Sequence, residues 1–180
     1  MYRDAIGDEN RPSGLGPSIP GRRQAPHVAV QEISLTRISS ALLRTAIDTW
    51  QTQAKDRAYP ARSDVSPRLL APFLRNVCLL RIFGEEGEFK YRVAGDATVE
   101  AWGQSFIGLD TAALNAIEEG IGDHVRGICQ LVVKRRAPVA VRGLLSRRRS
   151  YIAEESVYLP LGPDEATIDS ILTVSCFVLI

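Results

Sequence analysis

The sequence predicts an α+β fold with five strands and a long N-terminal helix, and three observations support this. The chain ends on an apolar run, residues 168–180, with the composition of a buried strand. Two strand-like segments come directly before this run, and two more lie upstream across a helical stretch. We expect the last strand to insert centrally and to join the strand pairs from both ends of the chain.

The N-terminal part of the chain divides into a tail and a helix. Residues 1–32 are rich in Pro, Gly and Arg and are expected to form a disordered tail. Residues 33–58 carry apolar side chains at helical spacing in two adjacent stripes, one of which contains Leu43, Ile47 and Trp50. We expect this helix to mediate homodimerisation through those three residues. The alternative is a helix buried in its own core.

Residues 59–180 are expected to form the folded domain. Ser66 and Pro67 predict the start of a short helix. The later segments alternate between strand and helix patterns. The predicted elements are a hairpin of residues 77–83 and 88–94, a short helix at 96–102, a long amphipathic helix at 114–134, and strands at 139–146, 151–161 and 168–180.

Composition excludes several classes of protein. The 180 residues fit one domain, and 45% of them are apolar, which is enough for a sizeable core. The net charge is only +1, so we expect neither a nucleic-acid nor a membrane partner. Cys78, Cys129 and Cys176 are too few and too scattered for a disulfide framework or a zinc site. With no apolar leader or membrane span, the protein is expected to be cytoplasmic.

The order and spacing of several short segments resemble those of the PAS domain, and more closely a family of single-PAS-like-domain proteins common in alphaproteobacteria. The resemblance covers the chain from about residue 35 to its C-terminus. The segments that carry it are Trp50, residues 60–67, residues 91–95, Gly103, Ile107 with Gly108, Pro138 with Val139, residues 158–161 and residues 168–172.

The resemblance implies an antiparallel five-stranded sheet with helices packed on one face. It also implies a sensory or regulatory module in bacterial signal transduction, in which a small molecule would sit between the sheet and the helices. The candidates to line such a pocket here are Tyr91, Arg92, Trp102, His124 and Cys176. For His124 an ordinary structural role is the favoured interpretation. Arg92 is expected to pair with Glu100 or Asp96, and a ligand carboxylate is the alternative.

Basic clusters are the clearest charged feature. Residues 134–136 end the predicted long helix, and Arg147, Arg148 and Arg149 lie at the turn between two strands. Cations at a helix C-terminus are stabilised by the helix dipole, and charges at a hairpin tip are ordinarily solvated. The functional alternative is an acidic partner surface or a phosphorylated ligand.

No catalytic motif occurs in the sequence, so we expect the protein not to be an enzyme. It has no GxSxG, P-loop, HExxH or Gly-rich dinucleotide turn, and only two histidines. The cofactor is unknown, and neither haem nor flavin is expected. The sequence therefore predicts a stand-alone regulatory module that acts through protein–protein interaction, with a small-molecule sensor as the alternative.

Overall fold

A computed structural model describes residues 28–84, 87–147 and 150–180. These residues form one antiparallel sheet with helices around it. The strands are β1 (Val28–Ile33), β2 (Val77–Phe83), β3 (Glu88–Ala94), β4 (Val139–Arg147), β5 (Ser150–Leu161) and β6 (Ser170–Leu179). The α-helices are α1 (Ala41–Ala54), α2 (Pro67–Leu70), α3 (Asp96–Trp102), α4 (Thr111–Leu114) and α5 (Ile121–Arg135), with 3₁₀ segments at Leu35–Arg37, Arg62–Asp64 and Ala71–Asn76.

The central position of β6 confirms the predicted topology. The strand order is β1-β4-β5-β6-β2-β3, and every neighbouring pair is antiparallel. β6 therefore joins the β2–β3 hairpin to the β4–β5 hairpin. Both hairpin strands upstream have the predicted bounds, because their β-branched and alternating apolar residues match a half-buried pleated surface.

The sheet has six strands, so the prediction of five was wrong. The additional strand is β1, which pairs with β4 at the sheet edge. Most of β1 falls in the predicted tail of residues 1–32, where the nearby prolines and glycines hid a short run of β-branched residues. The remainder of that predicted tail, residues 1–27, lies outside the described residues.

A continuous helix over residues 33–58 is not formed. Ile33 belongs to β1, and a 3₁₀ turn at Leu35–Arg37 follows it. The helix α1 begins only at Ala41, after Ser40, whose hydroxyl accepts a hydrogen bond from the Leu43 N–H. It ends at Ala54, followed by Lys55 with φ of 54°. The apolar periodicity thus predicted the helix correctly but overestimated its length.

Helices cover both faces of the sheet, which corrects the expectation that they pack on one face. Side chains alternate along β2, so that Cys78 and Leu80 pack with one buried cluster and Val77 and Leu79 with the other. We call the face toward α3, α4 and α5 the cavity face. The opposite face, covered by α1 and α2, is the α1 face. The single predicted domain therefore has two hydrophobic layers.

The predicted long helix of residues 114–134 is formed only from Ile121 onward, as α5, and α4 is a separate short helix that ends at Leu114. Gly120, with φ of 82°, caps the start of α5 in a left-handed conformation that glycine adopts without strain. Gly122 packs tightly on α4, since a Cβ there would lie 1.8 Å from the carbonyl oxygen of Thr111. In the part of the chain that the structure describes, no helix is long and apolar enough to cross a membrane.

Candidate functional site

A small cavity lies between the cavity face of the sheet and helices α3 to α5. Its volume is about 30 Å³, which is room for one or two water molecules. Most of its lining is apolar or aromatic, with a few polar side chains among it. The lining residues are Cys78, Tyr91, Thr98, Trp102, Phe106, Leu114, Ile121, His124, Val125, Leu145, Glu154, Tyr158, Thr173, Ser175 and Phe177.

Aromatic side chains from β3, α3 and the loop after α3 pack together in this lining. The Tyr91 and Phe106 rings meet edge to face with centroids 5.4 Å apart. Trp102 and Phe106 are tilted against each other at 5.9 Å. Tyr91 and Tyr158 are both buried, and burial raises the pKa of each phenol well above its ordinary value. The site is therefore packed by the protein's own side chains.

Glu154 is the buried carboxyl of the cavity. It is 6% exposed, on β5, and accepts a hydrogen bond from the Ser156 hydroxyl. Ser156 Oγ lies 2.8 Å from Ser175 Oγ on β6, which extends the polar group across two strands. Burial raises the pKa of Glu154 to about 7, although the Ser156 hydrogen bond acts in the opposite direction. This carboxyl changes protonation near neutral pH.

Glu155 has the opposite environment, because successive strand residues point to opposite faces. Its carboxylate accepts hydrogen bonds from the Ser39 and Ser40 N–H groups at 3.0 and 2.8 Å, and from Arg142. Burial alone would raise the pKa of Glu155, but these hydrogen bonds outweigh it and lower the pKa to about 2. Glu155 therefore fastens the start of α1 to the sheet.

His124 lies at the boundary between the cavity and the surface. Its imidazole lines the cavity and also a surface groove of about 290 Å³ between α5 and the β1–β4 edge. The buried Nε2 atom has no hydrogen-bond partner among the described residues, and burial lowers the pKa of this histidine. His124 is thus a neutral side chain at neutral pH, with one polar atom unused.

The thiols near the cavity are protonated and unreactive. Cys78 Sγ lies 3.2 Å from Thr98 Oγ1, and burial raises the pKa of this thiol. Burial raises the pKa of Cys129 further. Among the described residues, no group of three or more His, Cys, Asp or Glu side chains is placed to hold a metal ion.

Three of the five residues predicted to line a pocket meet at the cavity, namely Tyr91, Trp102 and His124. The other two lie elsewhere. Arg92 is exposed, with its guanidinium carbon 5.0 Å from the centroid of the Phe83 ring. It does not pair with Glu100, which binds Arg75 instead. Cys176 is on the α1 face, where its Sγ lies 3.3 Å from Ser40 Oγ, because residues 175 and 176 alternate between faces.

The three apolar residues predicted to bind a partner lie inside the chain's own core. Leu43, Ile47 and Trp50 are buried against the α1 face. The Trp50 indole N–H donates a 2.9 Å hydrogen bond to the Pro160 carbonyl, which fixes the helix on β5. The two predicted stripes merge into one docking face, since the outward residues Arg44 and Asp48 are polar and exposed. No surface is left on these residues for a second copy.

Several of the basic residues form ion pairs or hydrogen bonds, and two others lie outside the described residues. Arg135 pairs with Glu32 of β1, and Arg142 bonds to Glu155. Arg136 donates to the Tyr59 hydroxyl at 2.6 Å. These contacts give the helix-end cluster a structural role. Arg147 is the last residue of β4, one position beyond the predicted end of that strand, whereas Arg148 and Arg149 lie outside the described residues.

Sequence reasoning missed Glu154, which is the one carboxyl that the described residues contribute to the cavity lining. The indication in the sequence was only partial. Glu154 shares one face of the strand with Ile152 and Tyr158, but Glu155 shares the other face with Val157 and Leu159, which are also apolar. Burying an acidic side chain on the inner face of a strand costs free energy unless it is hydrogen-bonded or paired.

A larger groove lies on the α1 face, between the segment 62–74 and the β2–β3 hairpin. Its volume is about 430 Å³. Leu74 and Val93 at its walls are 44% and 40% exposed. The lining residues are Arg62, Ser63, Val65, Ser66, Pro67, Leu70, Leu74, Val77, Leu79, Val93, Leu161 and Leu172.

Comparison with known families identifies the sheet-and-helix unit. A family model described as PAS domain matches residues 38–175, which is most of the chain. No curated protein matches the chain.

Proposed function

This chain belongs to the PAS domain family, and from this premise we propose that it is a non-enzymatic regulatory module that acts through protein–protein interaction. Membership of the family indicates a sensory or regulatory module. The proposal goes further in choosing contact with a protein over the binding of a metabolite as the main task. It also places the module in the cytoplasm of a bacterium, as the resemblance to alphaproteobacterial single-domain proteins implies.

The observation that carries the proposal is the size of the interior cavity. Pockets for small molecules usually have volumes of about 300–1,000 Å³. The space between the sheet and the helices has only about 30 Å³, and Trp102, Phe106 and Tyr91 occupy the rest. A haem, a flavin or an ordinary metabolite would require these side chains to move. A module with a filled interior has its exposed surface available for recognition.

The exposed surface offers a larger concavity than the interior. The groove on the α1 face is open to solvent and lined mainly by apolar residues. Apolar grooves of this kind are typical of sites that take side chains of another protein. Homodimerisation through α1 is not part of the proposal, because Leu43, Ile47 and Trp50 are buried within one chain.

A small-molecule sensor is the second candidate function, and Glu154 is the observation that favours it. A buried carboxyl with a pKa of about 7 and the unpartnered Nε2 of His124 both belong to the same cavity lining. Perturbed titratable groups of this kind are found often at functional sites. A ligand there would be small and polar, and its entry would require the aromatic side chains to open the cavity.

Native mass spectrometry of the full chain, purified gently from its own cells, tests the proposal. We expect the protein in a stoichiometric complex with a different protein, and a mass for the released chain that equals the polypeptide alone. A small molecule retained at one copy per chain, with no protein partner, would contradict it. Because ligand binding raises stability by mass action, such a molecule would also raise the melting temperature when added back.

A further inference from the structure

The groove on the α1 face has apolar walls that nothing in the described structure covers. Leu70 and Leu74 form one side, on α2 and the 3₁₀ segment that follows it. Leu79 of β2 and Val93 of β3 form the other side, and they are direct partners in the strand ladder. The partial exposure of Leu74 and Val93 leaves apolar area in water that a binding partner would bury.

Cationic side chains surround these walls. Arg62 is exposed and lines the groove itself. Arg81 follows Leu79 by two residues, so it lies on the same face of β2. Arg92 is next to Val93, and the guanidinium carbons of Arg81 and Arg92 are 5.8 and 5.0 Å from the centroid of the Phe83 ring. We call Arg81 and Arg92 the rim arginines. Neither residue is in the groove lining, but they lie beside it on the two strands that supply Leu79 and Val93.

Among the described residues, the rim arginines have no ion-pair partner of the kind that several other arginines have. Arg57, Arg75, Arg135 and Arg142 each form an ion pair with a carboxylate. Among the described residues, Arg81 and Arg92 form none. The buried Nε of Arg81 has no hydrogen-bond partner there, and neither has the buried hydroxyl of Ser170, which is opposite Arg81 in the ladder.

The two features together define a chemistry for the occupant. Apolar walls require apolar side chains. The rim arginines have no carboxylate partner among the described residues, and arginine forms charge-assisted hydrogen bonds with carboxylates. We propose that this groove binds an acidic amphipathic segment of a partner protein. Its apolar side chains enter between Leu74 and Val93, and its carboxylates bond to the rim arginines. The proposal rests on the interaction function above and specifies its partner.

Designed peptides test the chemistry directly. The first probe is a fluorescent peptide of about 15 residues, long enough to form a helix, with leucines at helical spacing and glutamates elsewhere. A second peptide has lysine in place of each glutamate, and a third has serine in place of each leucine. We expect the full chain to bind the first peptide at least about tenfold more tightly than either of the others by anisotropy.

Four variants locate the binding. Leu74→Asp and Arg92→Glu change exposed side chains of the groove, and each should weaken binding of the first peptide by about tenfold. Ile107→Asp and Lys134→Glu are matched controls at exposed positions on other elements, and they should leave binding unchanged. Circular dichroism and melting temperatures check that all four variants are folded.

Three outcomes would overturn the inference. The first is equal binding of the serine peptide, which would show that charge alone causes the attraction. The second is unchanged binding of the first peptide by Leu74→Asp. The third is stronger binding of a single-stranded oligonucleotide or of anionic phospholipid vesicles than of the first peptide. A protein complex seen by native mass spectrometry that survives Leu74→Asp and Arg92→Glu would overturn this site alone. The interaction function would then use another surface.

Discussion

Glu154 and Glu155 are neighbours in the sequence with opposite electrostatic environments. Glu154 is inside the cavity with a pKa raised to about 7 by burial, whereas hydrogen bonds lower the pKa of Glu155 to about 2. Strand alternation explains why the two side chains point to opposite faces. It cannot say which of the two is enclosed, because that depends on helices distant in the chain. Sequence reasoning could therefore place Tyr91 and Trp102 on buried faces but could not select Glu154.

Glu154 should make the protein less stable as the pH rises. Below the ordinary pKa of 4.5 the carboxyl is protonated in both the folded and the unfolded state, so it adds no pH dependence to the stability. Between 4.5 and about 7 the unfolded state loses the proton while the folded state keeps it, and the free energy of unfolding falls. Glu154→Gln should remove this fall and raise the free energy of unfolding above neutral pH by on the order of 3 kcal/mol.

Denaturant unfolding over this pH range measures the effect. Glu100→Gln is a suitable control, since Glu100 is an exposed carboxylate paired with Arg75. A pH profile for Glu154→Gln that runs parallel to the wild-type profile would show that Glu154 is not held protonated in the folded state.

At the scale of elements, the local sequence pattern predicts which segments form helices and strands, whereas contacts between distant residues fix some of their bounds. The periodicity of α1 predicted a helix, and the β-branched runs predicted β2 and β3 with their bounds. Both Ser34 and Ser40 can cap a helix, and the local pattern does not choose between them. The start at Ala41 is also fixed by the Ser39 and Ser40 N–H groups, which bond to Glu155, more than 100 residues away. β1 was missed for a similar reason. A short strand at the sheet edge has a weak sequence pattern of its own, and its strand conformation depends on pairing with β4.

The anchor at Glu155 should control the first turn of α1. Glu155→Gln removes the charge that accepts the Ser39 and Ser40 N–H groups and leaves Arg142 without its carboxylate. We expect faster amide hydrogen exchange at the start of α1 and a loss of roughly 2 kcal/mol in stability at neutral pH. Because the pKa of Glu155 is lowered, the wild type should also lose stability as the pH falls from 4.5 toward about 2.

Ser34→Ala is the matched control for α1, since Ser34 caps only the short 3₁₀ turn. It should leave exchange in α1 unchanged. If Glu155→Gln alters neither α1 exchange nor the acid side of the stability profile, the helix is held by its apolar face alone.

At the scale of the whole molecule, the sheet has an enclosed cavity on one side and an open groove on the other. The central position of β6 followed from the order of strand patterns along the chain. The covering of both sheet faces by helices could not be predicted in this way, because an apolar helix face does not show which surface it will bury. α1 covers the sheet face opposite α3 to α5, and the larger of the two surface grooves lies between α2 and the β2–β3 hairpin.

A crystal structure of the protein purified from its own cells tests the filled interior most directly. The account predicts that the space among Glu154, Tyr91 and His124 contains no more than one or two water molecules, consistent with its volume of about 30 Å³. Density for a metabolite in an enlarged cavity, with Trp102 or Phe106 displaced, would contradict it and would make the protein a small-molecule sensor.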